Sequence, residues 1–328
     1  MSKDNGKLMP LLLAGLLAGL CFAAVSCWKS DQTSRATTPS PTPAGVNGTP
    51  PVVYDRGSTP GPTPTPLPAG TDTFKLKSIL MGRDMPYKVL VPADYAARTA
   101  DRFAVVYLLH GLTGHYTDWT DMGHLADAAA KHNFIIVTPE GANGWYTDSP
   151  LVPSDKYESY IVRELIPEVD HNFRTLADRD HRVIAGLSMG GYGALKFGLK
   201  YPEMFTLAGS FSGAFAIAQW GAKSGPNELI GKSVDAVYGP VNSPARKSND
   251  VFQFVRDLKP DQLGRLPHIY MSCGTEDIMI KTNRDLRALL NQKKVPNDYS
   301  ERPGNHDWTF WSGQIVEFLD LAERRVKK

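Results

Sequence analysis

The chain has 328 residues, of which 42% are hydrophobic and 21% charged, and its formal net charge at pH 7 is +2. This length and composition are typical of a globular protein with one large domain or two modest ones. The near balance of charge gives no indication of a nucleic-acid surface or an acidic partner, and the eight histidines show no metal-ligand spacing. We therefore expect neither a bound metal nor a nucleic-acid partner.

Residues 1–27 have the pattern of an export signal. Two lysines in MSKDNGK precede an apolar stretch from Leu8 to Val25, and small residues stand at its end. The sequence AVSC also resembles a bacterial lipoprotein box with Cys27 as the lipidated residue, although Ala24 stands where a larger aliphatic residue is usual. An uncleaved apolar helix is the alternative. We predict an exported protein, either a cell-envelope lipoprotein whose only membrane contact is this anchor or a secreted or periplasmic protein.

Residues 28–70 differ sharply in composition from the rest of the chain. The segment 30–69 contains ten of the 25 prolines, in a background of Thr, Ser and Gly. Such a segment buries too little apolar surface to offset the entropy that ordering removes. We predict a disordered linker that acts as a semi-rigid spacer, with an exported leader of no further function as the alternative. Residues 71–328 are predicted to form the folded domain.

In residues 71–328, apolar runs of strand type alternate with helical patterns. Two strands of alternating polarity come first, in TFKLKSIL and YKVLVPADY. Continuous apolar runs then predict strands that are buried on both faces, as in RFAVVYLLHG, FIIVTPEG and HRVIAG. Helical patterns lie between and after them, as in MGHLADAAAKHN and SGQIVEFLDLAERR. This order predicts an α/β fold with a mostly parallel central sheet, helices on both faces and an antiparallel edge formed by the first two strands.

The stretch RVIAGLSMGGYGALKFG places a serine between a predicted buried strand and a predicted helix. Residues 186–190 match the pattern G-x-S-x-G, in which a sharp turn holds the serine hydroxyl where a substrate can reach it. The flanking residues must be small because this turn strains the serine backbone. A tight turn without chemistry is the alternative, but the strand before it and the helix after it favour Ser188 as a nucleophile.

A serine hydroxyl needs a base that removes its proton. His306 lies in RPGNHDWTFW, a loop after the last predicted strand, whereas the other histidines lie in helices, at element ends or in other loops. The segment CGTEDIM follows the preceding strand and offers Glu276 and Asp277 as the acid that orients the base. We choose Asp277 and keep Glu276 as the alternative. Either choice gives the chain order serine, acid, histidine that is typical of α/β-hydrolases.

Acyl transfer at such a serine also needs two N–H donors for the developing oxyanion. We assign one donor to Met189, the residue after the nucleophile, and the other to Leu112 in the loop LLHGLTGHYTDW. Gly111 lets the backbone of this loop approach a substrate closely. His110 is expected to pack or hydrogen-bond within the loop and not to take part in the chemistry.

The motifs YKVLVP, YLLHG, YESYIVRELIPEVD, GLSMGGYGAL, CGTED and PGNHDWTFW resemble those of the esterase D-type family of α/β-hydrolases, and the resemblance covers residues 73–319. The family includes S-formylglutathione hydrolases, feruloyl and acetylxylan esterases, tributyrin-type esterases and mycolyltransferases of the antigen 85 type. The resemblance implies an α/β-hydrolase fold and no cofactor. It also implies a catalytic triad and an oxyanion hole at the positions derived above, namely Ser188, Asp277, His306, Leu112 and Met189.

We expect an exported serine carboxylesterase that hydrolyses small acyl, acetyl or feruloyl esters, including esterified carbohydrates. Trp145 and Tyr146 in GWYTDSPLVPSDKYESY are predicted to stack on a sugar or aromatic ring, with ordinary loop packing as the alternative, and Trp308 is a further candidate for substrate contact. The pattern weakens between Ala216 and Leu263, which we predict to be an insertion of short helices and loops near the substrate crevice.

Two other functions stay open at the level of the sequence. One is a cell-envelope acyltransferase of the antigen 85 type, which would use the same site with a different acyl acceptor. The other is a non-catalytic surface module that binds polysaccharide or protein through the same fold. Glutathione thioesters are disfavoured as substrates, because GLTGHYTDW lacks the cysteine that is usual in this loop of the cytosolic thioesterases.

Overall fold

The structure of the protein, a computed structural model, describes residues 71–326. The predicted export signal, Cys27 and the predicted linker lie outside these residues. Eight strands form one sheet: β1 Thr71–Ser78, β2 Arg83–Leu90, β3 Ala104–Leu109, β4 Phe134–Pro139, β5 Arg182–Leu187, β6 Leu207–Phe211, β7 His268–Gly274 and β8 Asn297–Arg302. Their order across the sheet is β1-β2-β4-β3-β5-β6-β7-β8.

The sheet is mostly parallel, with an antiparallel edge. β1 pairs with β2 and β2 with β4 in antiparallel fashion, and every neighbouring pair from β4–β3 to β7–β8 is parallel. The predicted sheet and its antiparallel edge are therefore confirmed. Since the carboxyl ends of parallel strands meet at one edge, the loops after β3, β5, β7 and β8 converge there.

Ten α-helices lie among the described residues: α1 Asp118–Asp121, α2 Leu125–Ala129, α3 Tyr157–Tyr160, α4 Ile166–Asn172, α5 Met189–Lys200, α6 Glu228–Tyr238, α7 Pro244–Lys247, α8 Val251–Asp257, α9 Ile280–Gln292 and α10 Trp308–Arg325. A π-helical turn, Ile161–Leu165, joins α3 to α4. The predicted insertion contains α6, α7 and α8, whereas α2 is much shorter than its sequence pattern predicts. No helix within residues 71–326 is long and apolar enough to cross a membrane.

Helices cover both faces of the sheet because the central strands are largely apolar, and β3 is apolar at every position. In β3, Tyr107 and Leu109 belong to the apolar cluster that contains Tyr192 of α5. Val106 belongs to a second cluster, which contains Phe318 of α10. Strand side chains alternate between the two faces of a sheet, so one continuous apolar run supplies both cores.

A buried ion pair joins α5 to α3. Lys196 is fully buried, and its Nζ donates to Glu158 Oε2 at 2.9 Å and to the Tyr146 carbonyl oxygen at 2.6 Å. Lys200 and Tyr201 both donate to the second carboxylate oxygen of Glu158. Burial raises the pKa of Glu158, but the two lysines more than offset this effect and lower it to about 2. The carboxylate is therefore ionised and fully hydrogen-bonded inside the domain.

We predict that Glu158→Gln destabilises the domain by about 3–5 kcal/mol at neutral pH, because Lys196 would remain buried without a counter-charge. A carboxyl whose pKa is lowered on folding contributes stability above its ordinary pKa of 4.5, and this stability is lost as the pH falls toward about 2. The difference in unfolding free energy between wild type and variant should therefore shrink between pH 7 and pH 3.

Urea unfolding of both proteins at the two pH values measures this difference. Asp285→Asn, which removes the exposed Lys281–Asp285 pair, is the matched control and should leave the stability nearly unchanged. An equal difference between wild type and Glu158→Gln at both pH values would contradict the assignment of the ion pair.

Candidate active site

Ser188 joins β5 to α5 in a strained turn. Its backbone has φ 53° and ψ −115°, a conformation that a non-glycine residue rarely adopts. A Cβ atom at Gly186 would lie 2.5 Å from the backbone of Gly190, and one at Gly190 would lie 2.3 Å from the Leu109 carbonyl oxygen, so both positions require glycine. The Ser188 N–H donates to the Phe211 carbonyl oxygen at 2.9 Å. The turn therefore holds the serine at the carboxyl edge of the sheet.

Three of the predicted site residues meet at this edge, each on a different loop. His306 Nε2 lies 2.9 Å from Ser188 Oγ, and His306 Nδ1 lies 3.0 Å from each carboxylate oxygen of Asp277. A carboxylate only accepts, so the histidine N–H that faces Asp277 is the donor of that bond. His306 Nε2 is then left to accept the proton of the Ser188 hydroxyl, as a general base does.

The two candidate acids have different surroundings. Asp277 is 2% exposed, and its Oδ1 also accepts from the Met279 N–H at 2.7 Å. Burial raises the pKa of Asp277, but the hydrogen bond and charge of His306 outweigh it, and the pKa lies below its ordinary value. Glu276 is exposed and accepts from the Gly304 N–H at 2.6 Å. The structure thus brings Asp277 to His306, and it places Glu276 as a brace on the loop that carries this histidine.

The loop after β3, which carries the predicted oxyanion donor Leu112, lies against the nucleophile. A Cβ atom at Gly111 would be 3.5 Å from Ser188 Cβ, so the two backbones are close neighbours. Leu112 lines the cleft in front of Ser188. Within the described residues, neither the Leu112 N–H nor the Met189 N–H donates a hydrogen bond. Both predicted oxyanion donors are therefore available to a substrate.

His110 sets the direction of one of these donors. Its Nε2 accepts from the Gly141 N–H at 2.9 Å, so the ring proton is on Nδ1, which donates to the Gly111 carbonyl oxygen at 2.8 Å. The C=O and N–H of a trans peptide unit point in opposite directions. Holding the Gly111 carbonyl oxygen therefore directs the Leu112 N–H to the other side of the loop.

The loop between β3 and α1, residues 110–117, is called the oxyanion loop below. The loop after β4 also holds it by hydrogen bonds at two further residues. Thr113 has φ 64°, and its N–H donates to Asn143 Oδ1 at 2.8 Å. The Tyr116 N–H donates to Glu140 at 3.3 Å. Asn143 has no signal in the sequence, because a lone asparagine in a loop forms no pattern and only the fold brings it to Thr113.

A cleft of about 330 Å³ opens in front of Ser188. Its lining is mainly apolar and comes from the loop after β3, from α6 and from the loops that carry Asp277 and His306, as shown by Leu112, Met122, Leu229, Ile230, Ile278 and Trp308. Helix α6 of the predicted insertion thus contributes directly to the cleft. The described part of the chain contains no group of three or more His, Cys, Asp or Glu side chains that could hold a metal ion.

The two neighbouring aromatic residues predicted to contact substrate lie in different places. Trp145 lines the cleft but is only 1% exposed, and its indole N–H donates to Ser233 Oγ at 3.1 Å. Tyr146 is fully buried, and its hydroxyl donates to the His110 carbonyl oxygen at 2.9 Å. The ring of Tyr146 packs against α5 at Gly193, so stacking of Tyr146 on a substrate is not compatible with the structure. This residue is a core residue.

Aromatic side chains hold the imidazole of His306. Trp311 packs edge-to-face on His306 with ring centroids 4.9 Å apart, and its indole N–H donates to Ser212 Oγ at 3.1 Å. Trp308 lines the cleft and packs edge-to-face on Trp119 at 5.3 Å. The start of α10 therefore both positions the histidine and forms one wall of the cleft.

Comparison with known proteins agrees with this geometry. A model of the family described as "Putative esterase" matches residues 78–321. The chain belongs to this esterase family. An acetyl esterase of Caldicellulosiruptor saccharolyticus is 32% identical over 228 residues, which are 69% of this chain and 85% of that protein. The protein is thus a serine hydrolase that acts on carboxylic ester bonds, as the motifs indicate.

The chain is also similar to a ferulic acid esterase and to an acyltransferase. The solved structure of a ferulic acid esterase superposes with a TM-score of 0.69 at 27% identity and covers 78% of this chain and 98% of that one. A diacylglycerol acyltransferase/mycolyltransferase, antigen 85C of Mycobacterium leprae, is 25% identical over 244 residues, which are 64% of this chain and 71% of that protein. The predicted α/β-hydrolase fold and the resemblance to the esterase D-type family are confirmed.

We predict that Asn143→Ala lowers kcat about tenfold on a small ester, with little change in KM. The Thr113 N–H would lose its acceptor, and the Leu112 N–H would be held less firmly where the oxyanion forms; complete loss of an oxyanion donor lowers kcat by about 10²–10³. Steady-state hydrolysis of p-nitrophenyl acetate measures the effect.

Two variants accompany this measurement. Asn143→Asp keeps an acceptor oxygen for Thr113 and should retain most of kcat. Asn172→Ala removes an exposed asparagine that donates to Glu168 on α4 and should behave as wild type. An unchanged kcat in folded Asn143→Ala would show that the oxyanion loop does not depend on this contact.

Proposed function

We propose that the protein is an exported serine carboxylesterase that works through Ser188, His306 and Asp277. The observation that carries the proposal is the continuous chain of hydrogen bonds from Asp277 through His306 to Ser188 at the base of a mainly apolar cleft. The N–H groups of Leu112 and Met189 complete the site as the oxyanion hole. A non-catalytic surface module would have no need for this alignment.

In the proposed reaction, His306 Nε2 takes the proton of Ser188 Oγ as this oxygen attacks the ester carbonyl carbon. The carbonyl oxygen becomes an oxyanion that accepts from the Leu112 and Met189 N–H groups. His306 then gives the proton to the leaving alcohol oxygen, and the acyl group stays on Ser188. Water, deprotonated by His306, attacks the acyl-enzyme carbonyl carbon. His306 then returns this proton to Ser188 Oγ as the bond between Oγ and the acyl carbon breaks and the carboxylic acid leaves, while Asp277 stays ionised throughout.

We propose small acetyl or feruloyl esters, including esterified carbohydrates, as the substrate class. The similarity to an acetyl esterase and a ferulic acid esterase supports this choice. The apolar and aromatic cleft walls, with Trp308 and the edge of Trp145, suit such acyl groups. The proposal of export rests on the pattern of residues 1–27. The proposal of a lipid anchor rests on the sequence AVSC, which ends at Cys27.

Transfer of the acyl group to a sugar hydroxyl is the second candidate reaction, and the similarity to a mycolyltransferase favours it. Both reactions share the acyl-enzyme on Ser188 and differ only in the acceptor. The ratio of ester product to free acid, measured while a sugar alcohol competes with water, distinguishes them.

We predict that Ser188→Ala abolishes hydrolysis of p-nitrophenyl acetate and butyrate, methyl ferulate and acetylated xylan, because no other described hydroxyl contacts His306 Nε2. The variant should stay folded, since alanine fits the turn at least as well as serine. Ser154→Ala, at an exposed loop serine, is the matched control and should keep full activity. Hydrolysis by folded Ser188→Ala at the wild-type rate would rule out the proposed nucleophile.

The neighbouring acids are expected to respond differently to neutral substitution. Asp277→Asn should lower kcat about 10⁴-fold, because the amide no longer fixes the histidine tautomer or stabilises the imidazolium. Glu276→Gln should keep activity within about tenfold of wild type, since an amide oxygen can still accept from Gly304. Steady-state kinetics of the two variants on one ester measures both effects, and the opposite order would identify Glu276 as the acid.

A further inference from the structure

One carboxylate in the cleft has no role in the proposed reaction. Asp118, the first residue of α1, is 8% exposed and lines the cleft that contains Ser188 and His306. Its Oδ2 lies over the backbone of Gly114 in the oxyanion loop, since a Cβ atom at Gly114 would be 2.3 Å from it. Asp118 is therefore next to the position where a bound ester must lie.

Asp118 differs from the other buried carboxylates among the residues that the structure describes. Asp277 accepts from His306 and Met279, Glu158 accepts from two lysines and a tyrosine, and Asp250 accepts from the Phe252 N–H and Arg256.

The side chain of Asp118 makes no hydrogen bond and no ion pair to any described residue. Water reaches the carboxylate from the cleft, and a bound ester would displace this water. A substrate that supplies a donor would therefore bind more tightly than one that leaves the carboxylate without a partner.

The surroundings of Asp118 restrict what this donor can be. Leu112, Met122 and Trp308 contribute apolar surface to the same cleft, and its lining contains no lysine or arginine. No lysine or arginine of the described chain therefore neutralises the carboxylate from within the cleft. A neutral hydroxyl group on an otherwise apolar or sugar-like ester fits this combination of one acceptor and apolar walls.

We propose that Asp118 is a specificity-determining residue that accepts a hydrogen bond from a hydroxyl group of the ester substrate. The inference rests on the proposed function, because the ester must be held with its carbonyl group at Ser188. The hydroxyl belongs either to the acyl half, as a phenol does, or to the alcohol half, as a sugar hydroxyl does. An ester without a hydroxyl leaves the carboxylate buried and unpaired, and it is disfavoured for that reason.

Two matched pairs of esters test the proposal. Methyl 4-hydroxycinnamate and methyl cinnamate differ in a hydroxyl on the acyl half, and a monoacetylated methyl xyloside and cyclohexyl acetate differ in hydroxyls on the alcohol half. Wild type should prefer the hydroxylated member of one pair by roughly 10–100-fold in kcat/KM, the range of a hydrogen bond to a charged group. The pair that shows this preference identifies the half of the ester that Asp118 contacts.

Variants at Asp118 should remove this preference and leave the chemistry intact. Asp118→Leu, which keeps a side chain branched at Cγ but removes the charge, should bring the ratio within the responding pair close to one, and Asp118→Asn should reduce it in part. Hydrolysis of the ester without a hydroxyl should stay equal or increase. Asp121→Asn, at an exposed acid of the same helix that pairs with Lys88, is the matched control and should keep the wild-type ratio.

Thermal unfolding separates a specificity role from a structural one. Removing an unpaired buried carboxylate should leave the unfolding temperature unchanged or raise it. A lower unfolding temperature together with an equal loss of activity on all four esters would overturn the proposal, because it would make Asp118 a structural residue.

The outcomes for the two proposals are distinct. If wild type hydrolyses none of these esters, nor p-nitrophenyl acetate, the proposed function fails and the inference fails with it. If hydrolysis depends on Ser188 but the ratios do not depend on Asp118, only the inference fails. A further outcome would also overturn the proposal: wild type prefers a choline ester, and Asp118→Asn abolishes this preference. Asp118 would then recognise a cationic group of the substrate and not a hydroxyl.

Discussion

The close contact between the end of β3 and the turn after β5 determines the rest of the site. Gly190 packs against the carbonyl oxygen of Leu109, and Gly186 packs against Gly190, at distances that leave no room for a side chain. This contact lets Ser188 keep a backbone conformation that is unfavourable by itself. It also brings the oxyanion loop, which follows β3 directly, beside the serine. A single packing constraint therefore positions both Ser188 and the loop that carries Leu112.

The parallel sheet supplies the remaining groups. The paired registers of β5, β6, β7 and β8 align the carboxyl ends of these strands, so the loops that carry Asp277 and His306 emerge next to Ser188. Local contacts also hold the loop that carries His306. The Gly304 N–H donates to Glu276, and Trp311 packs on the imidazole. The histidine is thus oriented by a buried acid on one side and by packing on the other.

The buried polar groups of the domain have two contrasting uses. Lys196 is fully buried, but it pairs with Glu158 and donates to the carbonyl oxygen of Tyr146, next to Trp145 in the cleft wall. Both aromatic residues have φ 50°, so this hydrogen bond supports a strained segment beside the site. Asp118, which is 8% exposed and lines the cleft, has no such donor. The hydrogen-bonded pair of Lys196 and Glu158 maintains the shape of the cleft wall. The Asp118 carboxylate, which has no donor within the described chain, is available to a ligand.

The sequence by itself determined the fold class, the order of the elements and the place of Ser188, the proposed nucleophile, between a strand and a helix. Alternating or continuous apolar runs report which residues are buried, and the glycines around Ser188 report a turn that tolerates no side chains; both are local properties of the chain. Motif position and chain order extended this prediction to His306 and to the donors Leu112 and Met189, and the family resemblance implied the same residues.

Only the tertiary structure decided between neighbouring residues of similar chemistry. It directs Asp277 inward to His306 and Glu276 outward to Gly304, and it places Trp145 in the cleft wall and Tyr146 in the core. The sequence did not point to Asn143 or Asp118, because a single polar residue in a loop or at the start of a four-residue helix forms no pattern. Whether such a side chain has a hydrogen-bond partner depends on which distant parts of the chain come together. A local pattern in the sequence does not show this.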